Sequence, residues 1–137
     1  MRVVLDANIY LALFTELAYS QNARAAVAHA TEIIAPDLIR HETANTLWKL
    51  ATAGAVTAEH ASQVIAAFAT TFDEIVPMAE FTQDAFQLAT RLNHPAYDCY
   101  YLHLAMQREA TLVTADKRLA QIANSLGPKV NCLLIQK

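Results

Sequence analysis

Four carboxylates occur where this largely apolar chain has little structural use for a negative charge. Asp6 directly follows the apolar run Val3–Leu5, and Asp116 comes just after a second apolar run that ends at Thr114. Glu42 and Asp98 fall in the first turns of two largely apolar segments that are predicted to be helical. Burying a lone ionised carboxylate costs several kcal/mol, so such a group normally finds a cation or a proton. If the fold brings the four acids together, a divalent metal is the simplest cation to expect.

A metal held by these acids would suit the hydrolysis of a phosphodiester. Hard oxygen ligands favour Mg²⁺ or Mn²⁺, and such an ion activates water and offsets the charge of the transition state. Asn8 and Thr114 lie beside Asp6 and Asp116 in the sequence and are fit to orient a carboxylate or a water. This chemistry needs no nucleophilic side chain. The candidate catalytic and metal-binding residues are therefore the four acids, with Asn8 and Thr114 as supporting residues.

Each acid also has a purely structural explanation. Asp98 is favoured by the macrodipole at a helix N-terminus, and Glu42 could be a solvated charge opposite the core face. Asp6 and Asp116 could each cap the helix that follows. These readings leave one thing unexplained, which is the repulsion among the acids if all of them point at one edge of the fold.

Other catalytic motifs are incomplete. The segment His41–Asn45 resembles the start of a zinc-protease helix but lacks the second histidine. The two glycines, Gly54 and Gly127, form no phosphate-binding loop, and no serine has the context of a nucleophile elbow. The remaining histidines share no ligand spacing, and the tyrosine cluster near Asp98 favours helix packing over base stacking. These surface or packing residues are His29, His60, His94 and His103, and Tyr97, Tyr100 and Tyr101.

Length and composition predict a single domain over residues 1–137. The chain is 55% hydrophobic with two Gly and four Pro, which is typical of a compact, helix-rich protein. It has no apolar stretch long enough to span a membrane and no signal-peptide pattern at its N-terminus, so we expect a cytoplasmic protein. Cys99 and Cys132 are expected to be reduced.

The net charge of −3 argues against a nucleic-acid partner at first sight. Four of the 13 acidic side chains are the candidate metal ligands, however, and the remaining nine are matched by 10 basic side chains. A metal site would leave the protein roughly neutral toward phosphate. The charge therefore neither supports nor excludes RNA.

Short apolar strands alternate with helical segments along the chain, which predicts a parallel sheet covered on both faces. In open parallel sheets, ligands bind beyond the carboxyl ends of the strands, which is where Asp6 and Asp116 are predicted to lie. The predicted strands are Arg2–Leu5, Glu32–Ala35, Glu74–Val76, Thr111–Thr114 and Val130–Ile135. The predicted helices begin at Ala7 and span Gln21–Ala30 (capped by Ser20), Asp37–Thr52 (capped by Asp37 and stopped by Gly54), Thr57–Thr71, Thr82–Asn93, Ala96–Arg108 and Lys117–Ser125.

Taken together, the motifs around the acids resemble those of PIN domains, and most closely the VapC-type toxins of bacterial and archaeal toxin–antitoxin pairs. The resemblance covers essentially the whole chain, in order and with typical spacing, and the last two motifs are the most specific. The motifs are Val4–Asn8, Pro36-Asp37 through Glu42, Tyr97-Asp98 with Tyr101-Leu102 and Leu104-Ala105, and Leu112–Asp116. One departure is Ala7, which stands where many relatives carry Thr or Ser.

The resemblance implies a three-layer α/β/α fold with a central, mostly parallel five-stranded sheet. It implies a Mg²⁺- or Mn²⁺-dependent endoribonuclease in which Asp6, Glu42, Asp98 and Asp116 hold the metal. It also implies a homodimer and a cognate antitoxin that covers the active site. The apolar residues of the Ala7–Ala30 stretch could bind such a partner or pack in the core.

The RNA target is not named by the sequence, and transfer RNA is one candidate. Basic side chains that could contact RNA are Arg40, Lys49, Lys117 and Arg118. Two other classes of protein stay open. The chain could be a non-catalytic PIN-like module that binds a protein, or a phosphatase with an aspartyl nucleophile, although that chemistry requires Asp rather than Asn at position 8.

Overall fold

A five-stranded sheet organises the chain in the computed structural model, which describes all 137 residues. The strands lie in the order β3-β2-β1-β4-β5, and every neighbouring pair is parallel. The strand bounds are β1 Arg2–Leu5, β2 Glu32–Pro36, β3 Glu74–Val76, β4 Thr111–Thr114 and β5 Asn131–Leu134. The predicted α/β class with five strands is confirmed, and the sheet is parallel throughout.

Eight helices connect the strands. They are α1 Ala7–Phe14, α2 Ser20–Val27, α3 Leu38–Thr52, α4 Ala58–Ala66, α5 Phe68–Thr71, α6 Thr82–Leu92, α7 Ala96–Arg108 and α8 Lys117–Ser125. No helix combines the length and the apolar character that crossing a bilayer requires.

The strand order assigns the helices to two layers. The connections from β1 to β2 and from β2 to β3 run toward one edge of the sheet, and those from β3 to β4 and from β4 to β5 run toward the other. Because parallel crossovers are right-handed, α1 to α5 cover one face and α6 to α8 cover the opposite face. The three-layer α/β/α arrangement follows, and helices of both outer layers approach the carboxyl edge of the central strands.

The central strands β1 and β4 are buried on both faces. Val3, Val4 and Leu5 of β1 and Leu112 and Val113 of β4 are inaccessible to solvent. Strands covered on both sides read as continuous apolar runs, which is why these two were recognisable in the sequence. Successive strands are added toward one edge of the sheet from β1 and toward the other edge from β4. The β1–β4 pair is therefore the topological switch point, beyond which ligands bind.

Two predicted helix caps are wrong. Ser20 lies inside α2 instead of capping it, because its hydroxyl donates to the Thr15 carbonyl and accepts from the Leu17 amide, both at 2.8 Å. Asp37 is at the N-cap position of α3 but makes no cap there. Its carboxylate accepts from the Met78 amide at 3.3 Å and so ties β2 to the segment after β3.

The predicted helix Thr57–Thr71 is divided into α4 and α5 at Ala67. The break follows from tertiary packing. It allows the rings of Phe68 and Phe72 to stack on buried Tyr10, with centroid distances of 4.6 and 5.3 Å. The helix stop at Gly54 is confirmed, since this residue has a φ of +77°, a conformation that glycine adopts without strain.

Candidate active site

All four predicted acids line one cleft of about 210 Å³ at the carboxyl edge of the sheet. Asp6 follows β1, Asp116 follows β4, Glu42 projects from α3 and Asp98 from the first turn of α7. The two helices belong to opposite layers, and the cleft lies between them. Its walls also include Ala7, Asn8, Thr46 and Tyr101, and no basic side chain is among its lining residues.

Asp6 is the most buried of the four acids, with 7% of its surface exposed. Its carboxylate caps α1 by accepting from the Ile9 amide at 2.9 Å, and it also accepts from the hydroxyl of Thr114. Thr114 in turn accepts from the Asp116 amide at 3.0 Å. The predicted supporting residue Thr114 therefore links the two acids that follow β1 and β4.

The pKa of Asp6 is raised to about 6, because burial and, to a lesser extent, the charges of Asp98 and Glu42 outweigh the lowering effect of the hydrogen bonds from Thr114 and Ile9. The same two causes, burial and then Asp98, raise the pKa of Glu42. The acids are thus close enough to destabilise one another, as the sequence predicts for acids that converge.

The three other acids are each held by a donor on one oxygen only. Tyr101 donates to Glu42 Oε1 at 2.6 Å, His94 Nε2 lies 2.6 Å from Asp98 Oδ2, and the amides of Arg118 and Leu119 donate to Asp116 Oδ1. The second oxygen of each carboxylate, Glu42 Oε2, Asp98 Oδ1 and Asp116 Oδ2, accepts no hydrogen bond from the protein. These oxygens are available to a ligand in the cleft.

Two residues of this arrangement make contacts with the acids that the sequence did not predict. His94, interpreted as a surface or packing residue, is buried, with 3% of its side chain exposed, and it hydrogen-bonds Asp98 four residues later on the chain. Tyr101 packs in the core as expected, but its hydroxyl also binds Glu42. Burial and the negative charge of Glu42 raise the pKa of Tyr101 well above its usual value, so the phenol remains a donor. The spacing of four residues between His94 and Asp98 was the available signal.

The geometry of His94 defines its role in the site. A carboxylate only accepts, so the ring hydrogen is on Nε2 and points at Asp98 Oδ2. The other ring nitrogen, Nδ1, is buried with no partner. An unfilled acceptor is better tolerated in the interior than an orphaned N–H, which favours placing a ring hydrogen on Nε2 rather than on Nδ1. His94 therefore fixes one oxygen of Asp98, and the other oxygen accepts no hydrogen bond from the protein.

The donor set fits a hard divalent cation, although the structure contains no preformed group of three acidic, histidine or cysteine side chains that could hold one. Mg²⁺ keeps several waters and takes one or two carboxylates directly, so it does not require such a group. The carboxylates repel one another, and no basic side chain lines the cleft to offset their charge. A divalent ion bound by the free carboxylate oxygens would relieve this repulsion.

Comparison with known proteins identifies the family. The PIN domain family model matches residues 3–125. The chain belongs to the PIN domain family. Ribonuclease VapC3 of Pyrobaculum aerophilum is 34% identical over 123 residues, which is 88% of this chain and 94% of that relative.

Two solved structures share the fold of this PIN domain. The crystal structure of VapBC2 from Rickettsia felis bound to a DNA fragment from their promoter superposes with a TM-score of 0.70 at 19% identity, covering 99% of this chain and 100% of that chain. The crystal structure of PAE2754 from Pyrobaculum aerophilum also gives a TM-score of 0.70, at 22% identity, covering 96% of this chain and 89% of that chain. Both support the three-layer architecture.

Replacing Asp6 with Asn should stabilise the metal-free protein at neutral pH. An acid whose pKa rises from 3.8 in the unfolded chain to about 6 in the fold stabilises the native state below pH 4, and this contribution is lost as the pH rises to 6. Above pH 6 the Asp6→Asn variant should exceed the wild type by about 2–3 kcal/mol in unfolding free energy, at 1.36 kcal/mol per pKa unit. Urea titrations between pH 4 and 8 measure this difference.

The exposed Asp84 provides the matched control, because Asp84→Asn removes a charge without relieving burial. If the difference in unfolding free energy between Asp6→Asn and the wild type does not change with pH, the raised pKa of Asp6 is contradicted.

Substitutions at His94 should separate the effect of its hydrogen-bond donor from the effect of its side-chain volume. His94→Gln retains an N–H donor close to the position of Nε2, whereas His94→Phe fills the space without a donor. Removing a hydrogen bond to a metal-binding carboxylate typically costs 10- to 100-fold in metal affinity. We expect that loss for His94→Phe and a much smaller one for His94→Gln, measured as Mn²⁺ affinity by electron paramagnetic resonance. His103→Gln, also on α7 but outside the cleft, is the control, and equal affinities in both His94 variants would exclude the donor role.

Proposed function

We propose that this PIN domain is a Mg²⁺- or Mn²⁺-dependent endoribonuclease and the toxin of a type II toxin–antitoxin system. The observation that carries the proposal is the convergence of Asp6, Glu42, Asp98 and Asp116 on one cleft that no lysine or arginine lines. Its activity class is supported by the 34% identity to a protein named as a ribonuclease. The proposal treats residues 1–137 as a single catalytic domain.

In this proposal the four acids hold the ion, and each is kept in place by the donors already described. When bound, the ion supplies positive charge that promotes the ionisation of water and offsets the charge developing on the phosphoryl group. Thr114 and the Ile9 amide keep Asp6 ionised and oriented despite its burial. Tyr101 and His94 fix one oxygen each of Glu42 and Asp98.

In the proposed reaction the side chains position the water and the phosphate and form no covalent intermediate. Water gives up a proton to solvent as its oxygen forms the new bond to phosphorus, the bond to the leaving ribose oxygen breaks, and that oxygen takes up a proton. No side chain forms a bond to the substrate. Asn8 is exposed at the rim of the cleft and has an amide suited to bind the attacking water or a phosphate oxygen. Ala7 contributes no hydroxyl to the cleft, whose neutral polar lining residues are Asn8, Thr46 and Tyr101.

The proposed RNA contacts differ in their positions. Lys117 lines a groove beside Asp116, and Arg118 is exposed next to it. Lys49 is exposed two helical turns beyond Glu42 on α3, roughly 10 Å along the axis. The guanidinium of Arg40 lies 5.7 Å from the centroid of the Phe68 ring, so part of its surface is used in packing. Lys117 is therefore the strongest of the four candidates.

The partners and location are part of the same proposal. The relative VapBC2 was crystallised as an assembly of that name with promoter DNA, which supports an antitoxin partner for this chain. We further propose a homodimer that acts in the cytoplasm, with transfer RNA as the first RNA class to test. The competing function is a non-catalytic protein-binding module. The observation in its favour is the lack of a preformed group of three metal ligands.

Asp98→Asn should remove most of the metal-dependent RNA cleavage, because the amide cannot supply an anionic oxygen to the ion. We expect a loss of at least about 10- to 100-fold in cleavage rate, with no loss for Asp84→Asn, which neutralises an exposed acid in the first turn of α6. Gel assays on total RNA measure this, with EDTA abolishing and Mg²⁺ or Mn²⁺ restoring wild-type cleavage. Equal cleavage by the two variants would remove the metal-site assignment.

A further inference from the structure

The carboxyl edge of the sheet carries three neighbouring cavities in the order of its strands. After β3 and β2 lies a notch of about 230 Å³, here called the tyrosine notch, whose walls include Leu38, His41, Met78, Tyr97 and Tyr100. The acid cleft follows at β1 and β4. Beyond it, after β4 and β5, lies a groove of about 410 Å³, the lysine groove, lined by Tyr19, Lys117 and Lys137 among others.

The three cavities are close enough to contact one strand of nucleic acid. Adjacent strands of a sheet lie about 4.8 Å apart, so the tyrosine notch is about two spacings from the acid cleft and the lysine groove about one. The same helices also serve two cavities. Asp98 and Glu42 line the cleft, and their chain neighbours Tyr97 and His41 line the notch. When a phosphodiester is cleaved in the acid cleft, the nucleotide on one side of it is therefore within reach of the tyrosine notch, and the nucleotide on the other side is within reach of the lysine groove.

The chemistry of the two flanking cavities differs. The lysine groove offers two positive charges, which attract phosphate. The tyrosine notch has no lysine or arginine, and its one carboxylate, Asp37, accepts a hydrogen bond from the Met78 amide. A mainly apolar notch bounded by tyrosines disfavours phosphate and favours a base, which RNA-binding proteins commonly stack on aromatic side chains.

Tyr97 is the residue of the notch that no structural role explains. Its side chain is 65% exposed, whereas Tyr101 is buried and the hydroxyl of Tyr100 is fixed by a hydrogen bond to Thr82 at 3.1 Å. The sequence-based expectation that the whole cluster packs in helices is therefore wrong for Tyr97. Single exposed aromatic side chains are common on protein surfaces, so it is the place of Tyr97 on the wall of a notch beside the acid cleft, and not its exposure alone, that marks it as a ligand contact.

We propose that the tyrosine notch binds one unstacked nucleobase of the RNA next to the cleaved phosphodiester, with Tyr97 as the stacking residue. The lysine groove then receives the backbone phosphate on the other side of the cleavage site. This inference rests on the proposed ribonuclease function and adds the position at which the substrate is read. Base stacking on one aromatic ring is worth about 1–3 kcal/mol, or roughly 5- to 150-fold in binding.

The test compares Tyr97→Ala, Tyr97→Phe and Phe86→Ala on a short RNA that spans a site cleaved by the wild type. Phe86 is the matched control, because it is 58% exposed on α6 and lines none of the three cavities. We expect kcat/KM to fall about 5- to 150-fold for Tyr97→Ala and to stay near wild type for Tyr97→Phe and Phe86→Ala. Two further RNAs carry an abasic ribose at the nucleotide 5′ or 3′ of the cleaved bond. On the RNA that lacks the stacked base, the wild type and Tyr97→Ala should have nearly equal kcat/KM values.

Three results would overturn the inference while leaving the ribonuclease proposal intact. They are wild-type kinetics for Tyr97→Ala, an equal loss on the intact and both abasic RNAs, and a change of oligomeric mass by light scattering that accounts for the loss. The last result would assign the notch to a protein interface. A wild-type protein that cleaves no RNA would instead refute the proposed function, and this inference would fall with it.

Discussion

The carboxylate of Asp6 is buried between β1 and β4, with Asp98 and Glu42 near enough to raise its pKa. The rest of the site is arranged around the cost of keeping these charges together. Thr114, Tyr101, His94 and backbone amides each donate to one of the four acids, and no cation of the chain enters the cleft. Donors of this kind orient the acids but do not neutralise them, so the site retains a negative charge that a bound cation would offset.

The core explains why the acids remain ordered under this repulsion. The strand residues that precede Asp6 and Asp116 are buried, and the hydroxyl of Thr114 at the end of β4 donates to Asp6 at the end of β1. Glu42 and Asp98 are carried by helices from opposite layers, and both helices pack on the sheet through buried residues. A rigid scaffold can hold a locally unfavourable group of charges, and such strain is typical of functional sites.

The sequence predicted the parts of the molecule that local patterns determine. The buried strands are continuous apolar runs, and the carboxyl-edge rule then located Asp6 and Asp116 without reference to any family. The convergence of Glu42 and Asp98 on the same edge could not be predicted from local patterns. Periodicity gives the face of a helix but not its place against the sheet, so these two acids were positioned by resemblance to PIN domains.

Long-range contacts account for what the sequence did not predict. Ser20 bonds to backbone groups of the preceding turn rather than capping α2, and α4 and α5 separate at Ala67 because aromatic packing on Tyr10 overrides local propensity. The contact of His94 with Asp98 was not predicted, since a histidine in isolation more often packs than binds. Its partner, Asp98, lies one helical turn away, and only the folded loop before α7 shows that the two side chains face each other.

The central claim is that the four acids form one divalent-metal site. The most direct test is the crystal structure of the wild-type protein grown with Mn²⁺, with anomalous scattering used to locate the ion. The expected result is a manganese peak in the acid cleft, within bonding distance of one or more of the free oxygens of Glu42, Asp98 and Asp116. A cleft without anomalous density at millimolar Mn²⁺, or a peak confined to another part of the surface, would contradict the claim.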